Sequence, residues 1–122
     1  MSDEARRERG ARKLAEVYAG DVVVPPPGAH AFSDIMLEQL FGEVWTREEL
    51  SVRDRRLLVM GVIAALGEAD PWKIQVRSAI KNGELTPEQA RETLVQLAQY
   101  AGYPRVAGLL RATEEAIAAA AE

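Results

Sequence analysis

The chain has no cysteine. Disulfides, thiolate catalysis and thiolate metal sites are therefore excluded outright. Histidine occurs once, at His30. One imidazole among scattered carboxylates gives no ligand spacing, so no metal site is expected. There is no excess of positive charge either: 15 basic residues stand against 19 acidic ones, for a net charge of −4. A nucleic-acid binder needs a positive footprint to displace counterions, so no nucleic-acid partner is expected. A helix-turn-helix reading of residues 71–100 fits by pattern but fails on this charge balance. Long apolar runs are also missing. The longest, Leu57 to Leu66, has ten residues, about half of the roughly 20 that a membrane helix needs. No apolar stretch follows the N-terminal basic residues, so no secretory leader and no membrane partner are expected, and the default compartment is the cytoplasm.

What is present favours helix. Aromatics are only 6% of the chain, while 48% is hydrophobic and dominated by alanine and leucine, which lose little entropy in a helix. No segment alternates with period two. A length of 122 residues suits one domain, with an N-terminal helix and proline-rich connector over 1–28 and a core over 29–122.

The expected architecture is all-α with about six helices. The first covers 3–19, with Leu14, Val17 and Tyr18 as its apolar stripe and Gly20 as its stop. Its basic cluster, Arg6, Arg7, Arg9, Arg12 and Lys13, is interleaved with acids and reads as a solvated face. Pro25, Pro26 and Pro27 make the next stretch a stiff connector. A second helix spans about 32–42, with Phe32, Ile35, Met36, Leu40 and Phe41 near helical spacing. Thr46 and Glu49 have capping-box spacing for a further turn. Ser51 then caps a helix to Leu66 whose second half is apolar on every face. Such a helix is buried on all sides, and a chain this small can cover it only by associating. Pro71 opens the next helix, with Ile74, Ala79 and Ile80 inward, and Asn82-Gly83 stops it. Thr86-Pro-Glu-Gln89 is a capping box for a helix ending at Gly102-Tyr103-Pro104. A last helix covers about 105–120, with Val106, Leu109, Leu110 and Ile117 inward.

Three pieces stand in order: Phe41-Gly-Glu-Val-Trp45, then Leu50-Ser-Val-Arg-Asp-Arg-Arg-Leu-Leu58 running into an apolar helix, then Ile74-Gln-Val-Arg-Ser-Ala-Ile-Lys-Asn-Gly83 followed by Thr86-Pro-Glu-Gln89 and Tyr100-Ala-Gly-Tyr-Pro104. Together, over about residues 32–118, they resemble the carboxymuconolactone decarboxylase family. The resemblance implies an alkylhydroperoxidase D-like helical subunit that assembles into trimers or hexamers. It implies cofactor-free decarboxylation of 4-carboxymuconolactone in aromatic-acid catabolism. The sister alkylhydroperoxidase D branch is a thiol peroxidase with a C-x-x-C-x-x-x-H motif. Those positions are Glu68, Pro71 and Gln75 here, and the branch's relay glutamate falls at Arg56. Without a thiol, peroxidase chemistry is excluded. Gln75 also stands where the decarboxylases usually carry histidine, and glutamine does not titrate.

Loss of carbon dioxide needs a cation for carboxylates, a polar group for the developing oxyanion and a proton donor. Arg53 and Arg56 lie three apart on one helix face, as ion-pair partners or as substrate-binding cations. Glu43, beside a tryptophan, is either an acid–base group or the partner of an arginine or a cap. Trp45 is a core or interface anchor, or a platform for ligand. Gln75 holds the family's active-site position and is expected to line the pocket. His30 is an exposed loop residue, or a stand-in for the missing histidine if its loop folds over the site. The catalytic candidates are thus Glu43, Gln75 and His30, with Arg53, Arg56 and Trp45 binding substrate. Three functions follow: a cofactor-free lyase on a small anionic lactone or carbonyl compound, a divergent family enzyme with a tailoring or isomerising step, or a non-catalytic oligomeric binding protein.

Overall fold

The computed structural model describes residues 2–122 and is helical throughout, with no strand among them. It forms two compact units, one ending at Val52 and one spanning Arg53–Glu122.

The N-terminal unit pairs α1 (Asp3–Val17) with a second helix. Ser2 caps α1, its hydroxyl accepting from the Ala5 amide. The second helix starts as α2 (Ala31–Ile35) and continues as a π-helical stretch, Met36–Val44. Its wider winding ends with the Trp45 amide donating to the Leu40 carbonyl, five residues back, at 2.9 Å. The inward face of this helix differs from the expected one. Ser33, Leu37, Phe41 and Trp45, each four apart, are buried. Phe32, Ile35 and Leu40, expected inside, are exposed. The turn expected after Thr46 does not form, because its hydroxyl donates back to the Gly42 carbonyl at 3.0 Å.

Two glycines let the backbones meet. A methyl group on Gly10 would lie 1.7 Å from the Leu37 carbonyl oxygen, and one on Gly42 would lie 2.7 Å from that of Arg6. Arg12 is exposed as expected, but Arg6, Arg7 and Arg9 are half-buried and turned to partners within the unit. Arg7 donates to Asp34 at 3.1 Å and to the Pro25 carbonyl at 2.6 Å. Arg9 donates to the Gly42 carbonyl at 2.7 Å. Asp34 also accepts from the Gly28 amide at 3.1 Å. The proline connector is thereby tied at both ends to helices of its own unit.

The C-terminal unit holds α3 (Val52–Leu66), α4 (Ala69–Lys81), α5 (Pro87–Ala101), α6 (Tyr103–Ala107) and α7 (Leu110–Ala120). Pro71 lies inside α4 rather than at its start, which costs no bond because the first four amides of a helix have no partner anyway. Gly83, at φ +72°, turns the chain after α4. The Thr86–Gln89 capping box forms both of its reciprocal bonds, at 3.0 and 3.1 Å. The expected last helix is two, broken at Gly108 and Leu109, where glycine's low propensity meets a leucine that the core takes up. Leu110 consequently faces out, while Ala112, Thr113 and Ala116 face in.

The core packs Met60 and Ala64 of α3, Trp72, Val76 and Ala79 of α4, Leu94 and Ala98 of α5, and Leu109 and Ala116 beyond them. Burial of this apolar surface is the main favourable term in folding. Trp72 is fully buried, and its indole N–H donates to Thr113 Oγ1 at 2.8 Å. That hydroxyl donates in turn to the Leu109 carbonyl at 2.8 Å. α3 is not covered on all sides: only Arg56, Met60 and Ala64 are buried, while Leu58, Val62 and Leu66 are exposed.

Gly10→Ala tests the close approach in the N-terminal unit. It is expected to destabilise the protein by about 3 kcal/mol, because a backbone carbonyl cannot step aside as a side chain can. A urea midpoint equal to the wild type's would show that the backbones are not this close.

Candidate active site

The residues singled out by sequence divide between the two units. In the C-terminal unit, α3 carries Arg56 inward, so that the side chain is 0% exposed. A buried guanidinium keeps its charge and needs a partner. Glu84, in the connector after α4, supplies one. Arg56 donates to it from Nε at 3.0 Å and from Nη2 at 3.1 Å, a two-pronged pair. Arg56 Nη1 donates to Gln75 Oε1 at 2.8 Å. Asn82 Nδ2 donates to Glu84 Oε2 at 3.3 Å. The two positions that the family resemblance aligns with a glutamate and a histidine are thus in direct contact, but as a charged guanidinium and an amide.

Arg53 lies one turn earlier on α3 and is exposed. Its Nε donates to the Glu84 backbone carbonyl at 2.9 Å. Glu84 therefore touches both arginines, one through its carboxylate and one through its peptide oxygen. Arg53 forms no ion pair with a carboxylate among the described residues.

Beside Arg53 opens a cavity of about 400 Å³. One wall is Arg53, Leu57 and Met60 of α3, with Leu85 closing the end near the connector. The other is α5, which presents Gln89, Glu92, Thr93, Gln96 and Leu97. Gln89, Glu92, Thr93 and Gln96 follow helical spacing and form one polar face. A cation, an apolar floor and a polar wall can hold a small anionic molecule. Glu92 and Gln96 are functional candidates that the sequence reading missed. Their spacing was visible, but a polar stripe on a helix is also what a solvated face looks like. Gln75 does not line this cavity. It is 95% buried against Arg56, so a glutamine expected in the pocket instead satisfies a charge beneath it.

A second cavity, of about 410 Å³, lies among α5, α6 and α7. Leu94, Val95, Ala98, Tyr103, Val106 and Leu110 make it apolar, with Arg91 and Glu114 at its edge. Arg91 donates to both Glu114 oxygens at 2.9 Å, which holds the Glu114 carboxyl below its usual range. Both groups are exposed, so solvent screens the pair.

The other three candidates belong to the N-terminal unit. Glu43 accepts from Arg6 Nη1 at 2.6 Å, and Arg6 also pairs with Asp3. Both contacts push the Arg6 guanidinium above its ordinary range, the Glu43 bond most. Trp45 is buried and stacks on Phe41 with ring centroids 6.0 Å apart. His30 precedes α2 at the surface, and its carbonyl accepts from the Ser33 hydroxyl at 3.0 Å. For Glu43 and Trp45 the structure shows the arginine partnership and the core packing.

The Arg56–Glu84 pair makes a direct prediction. Arg56→Met or Glu84→Met alone is expected to cost about 3–5 kcal/mol, because each strands a desolvated charge without its partner. The double variant Arg56→Met with Glu84→Met is expected to cost less than either. A double-mutant cycle by urea unfolding measures this, and additive single costs would show the two residues to be uncoupled.

The sequence is similar to those of known proteins. Residues 31–115 match the sequence profile of the carboxymuconolactone decarboxylase family. The chain is 30% identical over 84 residues to a 4-carboxymuconolactone decarboxylase of Acinetobacter baylyi, a match covering 69% of this chain and 62% of that protein. It is 37% identical over 71 residues to an uncharacterised 15.0 kDa protein of Paracoccus denitrificans, covering 57% of this chain and 52% of that one. The match thus spans less than two thirds of either relative's length.

Proposed function

Because the chain belongs to the carboxymuconolactone decarboxylase family, we propose that it is a cofactor-free lyase acting on a small anionic lactone or carbonyl compound of aromatic-acid catabolism. The observation that carries this reading is Arg53: an exposed guanidinium at an apolar cavity, fastened by one N–H to the Glu84 carbonyl. Its remaining donors suit a carboxylate. Leu57, Met60 and Leu97 take the ring of the ligand. The bond to the departing carboxylate carbon breaks, and carbon dioxide leaves. The electron pair passes to the carbonyl oxygen, where the Gln96 amide offers an N–H, and water returns the proton to carbon.

Gln75 and Arg56 are positioning residues in this reading. Gln75 holds Arg56, Arg56 holds Glu84, and the Glu84 carbonyl holds Arg53. Glu43 and Trp45 serve the N-terminal unit, and His30 stays at the surface.

The test is loss of 4-carboxymuconolactone absorbance with the pure protein. A rate above the spontaneous one is expected, and Arg53→Met is expected to lower kcat/KM by about 100-fold, the scale of a lost charge-assisted contact. A rate equal to the spontaneous one sinks the decarboxylase assignment. If Arg53 still binds small carboxylates in that case, the second reading holds: a family enzyme with a different, isomerising or tailoring reaction. The Arg56–Gln75 contact favours that alternative, because the glutamine that stands in the histidine position has no titrating proton to exchange. If no small carboxylate binds, the protein is a non-catalytic oligomeric member.

Self-association is part of the same proposal. Leu58, Val62 and Leu66, at 62, 62 and 63% exposure, stand four apart on one face of α3. Three large apolar side chains in a row favour burial against another copy, in a trimer or hexamer. Sedimentation of Leu58→Glu/Val62→Glu should give a smaller species than the wild type. A wild-type monomer across the micromolar range would remove the assembly from the proposal.

A further inference from the structure

The cavity beside Arg53 carries a second charged group that the reaction scheme above leaves unused. Glu92 lies on α5, in the wall facing α3. Its neighbour Arg91 is engaged by Glu88 and Glu114. The Glu92 side chain has no hydrogen bond or ion pair among the described residues. The Glu84 carboxylate is neutralised by Arg56 beneath the cavity wall. The lining is therefore charged at two points only, Arg53 and Glu92.

The order of groups along the cavity follows from two contacts. At the start of α3, Arg53 reaches the Glu84 carbonyl, just before α5. Further along, Gly61 of α3 sits opposite Leu97, whose Cδ2 would lie 3.8 Å from a methyl placed on that glycine. The two helices thus run in the same direction along the cavity. Gln89 lies toward the Arg53 end, Glu92 a turn further on, and Gln96 a turn beyond that. A ligand with one carboxylate on Arg53 directs its ring along Leu57 and Met60, and its far substituents toward Glu92 and Gln96.

We propose that Glu92 sets the charge of the ligand this cavity accepts: a small ring compound with one carboxylate, held by Arg53, and a neutral hydrogen-bond donor such as a hydroxyl at its far end. A donor there satisfies the Glu92 carboxylate. A second carboxylate there meets a like charge at an exposed position, where solvent weakens the repulsion without removing it. The proposal rests on the reading of Arg53 as the anion anchor. It also gives that reading a direction. A lyase substrate with two carboxylates loses, as carbon dioxide, the charge that Glu92 opposes, so the bound state Glu92 favours is on the product side.

A matched pair of unreactive probes tests this: 3-hydroxybenzoate and isophthalate, which share a ring and one carboxylate and differ in the second group. Isothermal titration of the protein should show the hydroxy acid binding about tenfold tighter than the dicarboxylate at low ionic strength. In Glu92→Gln the isophthalate Kd should fall by about tenfold, while that of 3-hydroxybenzoate moves by less than about threefold. Added salt should narrow the wild-type preference, because the penalty is electrostatic. Equal wild-type affinity for the two probes, or a ratio unchanged by Glu92→Gln, overturns the role of Glu92 and leaves Arg53 as the anchor. Binding of both probes that is unaffected by Arg53→Met overturns the anchor itself, and with it both readings.

Discussion

The C-terminal unit is organised around one charge out of water. Arg56 is fully buried on α3, and an uncompensated guanidinium there would cost several kcal/mol of desolvation. The fold meets that demand with two groups from distant points in the chain, Glu84 and Gln75. Satisfying Arg56 fixes where the 82–85 connector can run. The connector delivers Leu85 to the core, leads into the capped start of α5 and offers its carbonyl to Arg53. A buried pair of this kind adds little net stability, which comes instead from the apolar cluster around Trp72 and Met60. What the pair determines is geometry: the position of the cavity wall and of the cation that stands beside it.

The N-terminal unit follows a parallel logic with different means. Its closest contact is backbone to backbone, through Gly10 and Gly42. Around that contact, α1 turns its arginines toward carbonyls and carboxylates of the following segments. Charge is used there at half-exposed positions, where screening makes each bond weak but the set specific. Glu43 is part of this set, and its carboxylate is already engaged.

Features that depend on neighbours in sequence were legible in advance. The Thr86–Gln89 capping box, the glycine stops at Gly83 and Gly102 and the helix over most of 52–66 follow from local chemistry. The family order of motifs was legible for the same reason. Features that depend on distant partners were not. The α1 arginines read as solvated because their partners lie 18 to 37 residues away. Phe32 and Ile35 read as core from their apolar spacing, yet they lie in the short α-helical start of that helix, where Ser33 takes the inward position. Arg56 and Gln75 were both picked out, yet nothing in a spacing of 19 residues says that they touch. Glu92 and Gln96 carried a recognisable period, but polarity on a helix face does not distinguish a cavity wall from a surface.

The tryptophans have a consequence of a practical kind. Trp45 stacks in the N-terminal unit, and Trp72 is sealed in the C-terminal one. Each unit thus carries a single buried indole as a built-in optical probe. A chain keeping only Trp45, with Trp72 replaced by phenylalanine, reports the opening of the first unit alone, and the reverse exchange reports the second. Whether the two emission curves coincide states whether this chain melts as one cooperative body or in two steps.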